Sequence, residues 1–221
     1  MRLPMQACIF DMDGVLVDNR AFHKMAWSRY LQMHCGKTDF DYEGLMQQFF
    51  GKTNQKIFEY IYQRPLSANE LRQFQSEKEL LYRELYKNDI APLKGLLLFL
   101  KKLENRKIAM GIGTSGPMDN VAFVTEATGT ARYFSAITDA NQVQNGKPDP
   151  EVYLKTAEKL HVAPEQCVVF EDSISGVQAG INAGMSVVGV CTEHPPRVLA
   201  DVGAIFSVDD FSAIDLDSLL H

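Results

Sequence analysis

Apolar residues arrive along this chain in two rhythms. Short runs at 8–10, 108–112, 167–170 and 186–190 read as strands, with shorter ones at 136–138 and 204–206; those at 8–10 and 167–170 are unbroken and apolar, the kind buried on both faces of a parallel sheet. Between them, helical spacing predicts helices over 96–103, 118–127 and 174–183. Asp149 and Pro150 read as the N-cap and first-turn pair of another helix ending at Leu160. Strand and helix in alternation predict an α/β fold, a doubly wound parallel sheet.

One stretch departs from this alternation. From about 17 to 89 no run reads as a strand. Phe22, Met25, Ala26, Tyr30 and Met33 form one stripe of a helix over 21–34, and a polar break follows at 36–41. Leu45, Met46, Phe49 and Phe50 suggest a second helical piece that stops at Gly51. Asn54 could cap a third, with Ile57, Phe58 and Ile61, while Ser67 and Glu70 have the spacing of a capping box opening a fourth. The expected organisation is a sheet domain, residues 1–16 with 91–221, and a helical domain, 17–90, inserted straight after the first strand.

Composition narrows the class without naming it. Across 221 residues the net charge is −6, which argues against a nucleic-acid footprint or a polybasic membrane patch. An anionic substrate must then be met by a few local cations or by a metal. No apolar run reaches membrane-spanning length, and the first residues run into the first strand without a secretory core segment. Cys8, Cys35, Cys167 and Cys191 have no C-x-x-C spacing, so reduced thiols in the cytoplasm are expected. A monomer is the expected state.

Polar residues gather where the predicted strands end. Asp11 and Asp13 follow the first strand and precede Gly14; Thr114 and Ser115 follow the second. Lys147 sits in a G-K-P-D-P loop, and Glu171 with Asp172 follows the fully apolar run at 167–170. In a parallel sheet these tips point the same way and can share one pocket. Two acids one residue apart repel unless a cation lies between them, so the first tip suggests a divalent metal. The whole set suits phosphoryl transfer, which needs a metal and fixed donors around the phosphoryl oxygens. Taken singly, Thr114 could be a helix cap, Lys147 a solvated charge and Glu171-Asp172 an acidic turn. Other patterns are weaker. Gly111, Gly113 and Gly116 spell a dinucleotide-type loop but do not follow the first strand, and Gly51-Lys52-Thr53 lacks the first glycine of a phosphate-binding loop.

Four motifs together resemble the haloacid dehalogenase superfamily: D-M-D-G-V at 11–15, G-T-S-G at 113–116, G-K-P-D-P at 146–150 and V-F-E-D-S-I-S-G-V-Q-A-G-I-N-A-G-M at 169–185. The resemblance covers essentially the whole chain and, within the superfamily, is strongest to the β-phosphoglucomutase and small-metabolite phosphatase group. It implies a Rossmann-like core with a small helical cap. It implies that Asp11 attacks phosphorus to form an aspartyl phosphate, and that Asp13 serves as acid and then base. By the same resemblance Mg²⁺ is held by Asp11, the Asp13 carbonyl and Asp172, with Glu171 beside it. Thr114, the Ser115 amide and Lys147 hold the phosphoryl oxygens. Asp13 separates the chain from true dehalogenases, which lack an acid there.

In the cap, the resemblance points to His23 and Lys78 as substrate contacts; Trp27 reads as packing. The mutases of the group carry an arginine for a distal phosphate in a cap loop G-x-x-R. Here the loop is Gly51, Lys52, Thr53, Asn54, and an ammonium at Lys52 is not a planar bidentate fork. The expected activity is hydrolysis of a small phosphorylated metabolite, a sugar phosphate first, with a sugar phosphomutase as the alternative.

Overall fold

The computed structural model describes residues 5–36, 41, 43–44 and 54–216, with side chains from 56 onward in the last stretch. The chain divides into two compact units, Met1–Asp18 with Ala91–His221, and Asn19–Ile90.

The first unit is built on a six-stranded sheet, all its strand pairs parallel. Its strands are β1 (Ala7–Phe10), β2 (Ala109–Gly113), β3 (Ala136–Thr138), β4 (Cys167–Glu171), β5 (Ser186–Val190) and β6 (Phe206–Val208), in the order β3-β2-β1-β4-β5-β6. The chain leaves β1 toward one edge through β2 and β3, then returns to β4 and continues to the other edge. Strand order therefore reverses beside β1 and β4, where open α/β sheets form their crevice.

Every residue of β1 and β4 is buried, as their unbroken apolar runs require. Alternate side chains face opposite layers. Ala7, Ile9, Cys167 and Val169 pack with Val152, Tyr153 and Ala157 of α6 (Glu151–Leu160), and with Val177 and Ala179 of α7 (Ile174–Asn182). On the other face Phe10 stacks on Phe170, ring centroids 4.9 Å apart, and both meet Phe99 and Phe211. Phe99 belongs to α4 (Leu96–Asn105); α5 (Met118–Ala127) and α8 (Pro196–Val202) complete the described α-helices of this unit.

The second unit's described residues include the helices α1 (Arg20–Cys35), α2 (Asn54–Tyr62) and α3 (Ala68–Tyr86) and no strand. Trp27, Tyr30, Leu31, Ile57, Phe58 and Ile61 form its core. The Ser67–Glu70 capping box is present, Ser67 Oγ accepting from the Glu70 amide and the Glu70 carboxylate accepting from the Ser67 amide at 2.9 Å.

Four expectations shift. The buried face of α1 is Ala26, Trp27, Tyr30 and Leu31, whereas Met25 and Met33 are exposed at 43% and 63%. Apolar character alone put the flexible methionines in the stripe. The last strand is Phe206–Val208 rather than 204–206, because Gly203 closes α8 in a left-handed turn and Ala204 still bonds back to Leu199. Helix α8 itself is short and buries only Leu199, too little to show as a stripe. At α6 the Asp149 carboxylate accepts from the Glu151 amide at 3.0 Å, but Pro150 is the capping position and the helix begins one residue later. The piece expected around 45–50 lies outside the described residues.

Candidate active site

Asp11 continues the ladder past the end of β1, its amide donating to the Phe170 carbonyl at 3.0 Å. The parallel register of Phe10 with Phe170 sets it beside Glu171. The chain then turns: Gly14 N donates to Val17 O and Leu16 N to Met12 O, both at 2.8 Å. Gly14 has φ +77°, and a Cβ there would stand 1.8 Å from Asp172 Oδ2, so both backbone and space demand glycine. Asp13 is half-buried on this turn, bridged to Val17.

At the tip of β2 the Thr114 amide donates to the Thr138 carbonyl at 3.0 Å, and the Thr114 hydroxyl oxygen accepts from the Gly116 amide at 3.0 Å. Thr114 is buried and Ser115 exposed. The loop's shape is further held by Asp139, which accepts from the Met118 amide at 3.1 Å, and by the Ala140 amide bonding to the Gly116 carbonyl.

Lys147, buried in the loop before α6, joins the two central tips. Its ammonium donates to Asp11 Oδ1 at 2.8 Å and to Glu171 Oε1 at 2.7 Å, and lies 4.8 Å from the centre of the Tyr153 ring. Glu171 is fully buried and fully engaged. Tyr153 OH donates to Oε1 at 2.7 Å, while the Ser173 amide and hydroxyl donate to Oε2 at 2.9 and 3.0 Å. Asp172 lies beside it, and one oxygen each of Asp11, Glu171 and Asp172 fall within 4.8 Å of one another.

Three buried carboxylates cluster here and the Lys147 ammonium bonds Asp11 and Glu171, so their proton affinities divide. Burial pushes the Asp11 carboxyl up to about 7; the Lys147 charge opposes this, and Glu171 and Asp13 add to it. Burial also raises Asp172 well above the carboxylate range, with Glu171, Asp11 and Glu193 adding repulsion. Glu171 goes the other way: the charge and hydrogen bond of Lys147, with the Ser173 and Tyr153 bonds, outweigh its burial and hold it low. Lys147 is held protonated by Asp11 and Glu171 against its own burial. Ionising Asp11 and Asp172 together would therefore put more negative charge here than Lys147, already shared with Glu171, can balance. A hard divalent cation, bound by oxygens, fits that pair. Glu171 has spent its lone pairs on four donors and suits the task of holding Lys147.

The sheet unit thus brings together Asp11, Lys147, Glu171 and Asp172, with Asp13 and Thr114 on adjoining turns: an ideal Cβ on Gly116 would lie 3.4 Å from Thr114 Oγ1 and 3.7 Å from Asp13 Oδ2. His23 and Lys78 belong to the helical unit. Lys78 is 4% exposed; its ammonium lies 3.0 Å from His23 Nδ1 and donates to Glu79 at 2.8 Å. The His23 ring stacks on Tyr82 at 3.9 Å. Gly51 and Lys52 lie outside the described residues, as does the side chain of Asn54, which falls in the first turn of α2. Sequence reading passed over Tyr153, Ser173 and Thr192. An aromatic in a helical stripe reads as core, and Ser173 stands within the fourth motif, where the structure makes it the N-cap of α7. Thr192 alone carried a usable signal, since it follows β5 at a strand tip.

Comparison with known proteins bears on family and fold. The sequence profile described as haloacid dehalogenase-like hydrolase matches residues 8–190. The chain is 32% identical over 207 residues to the phosphorylated carbohydrates phosphatase of Thermotoga maritima, covering 91% of this chain and 93% of the relative. It is 29% identical to the β-phosphoglucomutase of Bacillus subtilis, covering 98% and 94%. A crystal structure of a HAD hydrolase, family IA, variant 3, from Entamoeba histolytica superposes with a TM-score of 0.88 at 28% identity, over 98% of each chain. By the profile, which spans sheet and insert alike, and by the carboxylates and lysine clustered at its central strand tips, this chain belongs to the haloacid dehalogenase-like hydrolases.

Proposed function

We propose that the protein is a Mg²⁺-dependent phosphohydrolase of small phosphorylated metabolites, sugar phosphates first, working through an aspartyl phosphate on Asp11. The observation that carries the reading is the buried Asp11–Lys147–Glu171 chain beside Asp172 at the switch point of the sheet. The relative from Thermotoga maritima, named a phosphorylated carbohydrates phosphatase, supports the substrate class.

In this reading Asp11 and Asp172 offer carboxylate oxygens to the cation and Asp13 its carbonyl; when bound, Mg²⁺ neutralises charge on the phosphoryl oxygens. Lys147, fixed by Glu171, presents its ammonium beside Asp11 and takes a share of the same charge. Thr114 Oγ1 already accepts from Gly116 N, so its O–H is left to donate to a phosphoryl oxygen, with the Ser115 amide as a second donor. Asp11 attacks phosphorus and the bond to the ester oxygen breaks, that oxygen taking the proton of Asp13. Asp13 then removes a proton from water, whose oxygen attacks phosphorus and releases phosphate from Asp11. Choice among substrates is assigned to the helical unit, to His23 and Lys78 with Gly51, Lys52 and Asn54.

A panel of phosphate monoesters assayed with Mg²⁺, and again with EDTA, tests this. Metal-dependent phosphate release, with the highest kcat/KM on sugar or sugar-alcohol monophosphates, is expected; no release from any member refutes it. Similarity to β-phosphoglucomutase along 98% of the chain keeps one alternative in play. β-Glucose 1-phosphate, with and without a trace of glucose 1,6-bisphosphate, separates the two. Free phosphate is expected as the main product, whereas glucose 6-phosphate formation that outpaces it identifies a mutase.

A further inference from the structure

Thr192 lies just past the end of β5 and belongs to none of the four motifs. Its hydroxyl donates to the Gly14 carbonyl at 2.7 Å and reaches Asp172 Oδ2 at 3.1 Å. A threonine has one O–H, so a single proton is shared between the turn after β1 and the acid after β4. The space between these groups is full. A Cβ at Gly14 would stand 1.8 Å from Asp172 Oδ2 and 3.0 Å from Thr192 Oγ1. Asp172 Oδ2 is thus packed against the bare Cα side of Gly14 while the threonine hydroxyl holds it from the β5 side. The hydroxyl is itself delivered from a fixed element, because the preceding Cys191 amide donates to the Val208 carbonyl at 2.8 Å and extends the sheet.

We propose that Thr192 is a positioning residue for the metal-holding acid. Its hydroxyl ties Oδ2 back, fixes the plane of the Asp172 carboxylate and leaves Oδ1 for the cation. The same proton steadies the Gly14 carbonyl, and through it the turn that carries Asp13. The inference rests on the reading of Asp11 and Asp172 as metal ligands. Groups that orient metal ligands in this way typically hold a 10- to 100-fold share of metal affinity.

The test is Mg²⁺ binding measured by calorimetry on the full chain, independent of turnover, for wild type, T192V, T192S and D172A. Valine keeps the shape of threonine without the hydroxyl, and serine keeps the hydroxyl. T192V is expected to weaken Mg²⁺ binding about tenfold or more, with T192S close to wild type and kcat of T192V restored at saturating Mg²⁺. Melting curves in EDTA report whether each variant folds; if T192V does not, T192A carries the same expected loss. Wild-type affinity in folded T192V, or a loss in T192S equal to that in T192V, overturns the role of the hydroxyl. A wild type that binds no Mg²⁺, or a D172A that binds it unchanged, overturns the ligand assignment instead.

Discussion

Gly176 lies inside α7, where alanine in place of glycine ordinarily stabilises a helix by about 1 kcal/mol. Here the sign reverses. A Cβ at Gly176 would lie 1.7 Å from Glu171 Oε1 and 1.9 Å from its Cδ, so the carboxylate or the helix must move by more than an ångström. A free glutamate end would move cheaply, but this one is fully buried and bonded to Lys147, Tyr153 and both donors of Ser173. Displacing it takes one of two anions from a buried ammonium, and breaking such a pair costs about 3–5 kcal/mol. Net of the helix gain, G176A should lose about 2–4 kcal/mol, a fall in Tm of about 5–15 °C for a chain of this size. The assay is a far-UV circular dichroism melt in EDTA. A G176A protein that melts at or above wild type would refute the claim that Glu171 is locked in place.

Replacing Asp11 with asparagine leaves an amide that cannot attack phosphorus; D11N should fold like wild type and show no more than trace phosphate release from any ester. The raised Asp11 carboxyl makes a signed prediction in pH. A group whose proton is held up to about 7 in the folded chain, against about 4 unfolded, destabilises the metal-free protein as pH rises through that window. With Asp11 as the proposed ligand, Mg²⁺ would compete with that proton, so the gain in Tm on adding Mg²⁺ should be larger at pH 8 than at pH 5.5. Equal gains at both pH values would show that Asp11 is already ionised without metal.

Much of the sheet unit is legible in the sequence because its rules are local. Unbroken apolar runs such as that of β4 need two covered faces, and parallel strands send their polar ends to one side. That is enough to bring Asp11, Lys147 and Asp172 together before any coordinate is known. What escapes is what depends on neighbours distant in the chain. Tyr153 looks like a core aromatic until its hydroxyl is found on Glu171. Glu171 and Asp172 look alike in sequence, yet four donors occupy the first while Thr192 reaches the second. Strand β6 is half-buried, so apolarity misplaces its start by two residues. In the helical unit Met25 and Met33 join a predicted stripe they do not bury in, since side-chain character without a partner surface does not fix a helix face.

The covalent step on Asp11 is the centre of the account, and chemical trapping tests it most directly. An acyl phosphate is reduced by borohydride, converting the aspartate to homoserine, whereas a free carboxylate is untouched. Protein quenched with borohydride during turnover of a sugar phosphate, digested and read by mass spectrometry, should carry homoserine in the peptide bearing Asp11. D11N and protein without substrate should carry none. Full phosphate release with no reduction at position 11, or with reduction at a different carboxylate, would contradict the assignment.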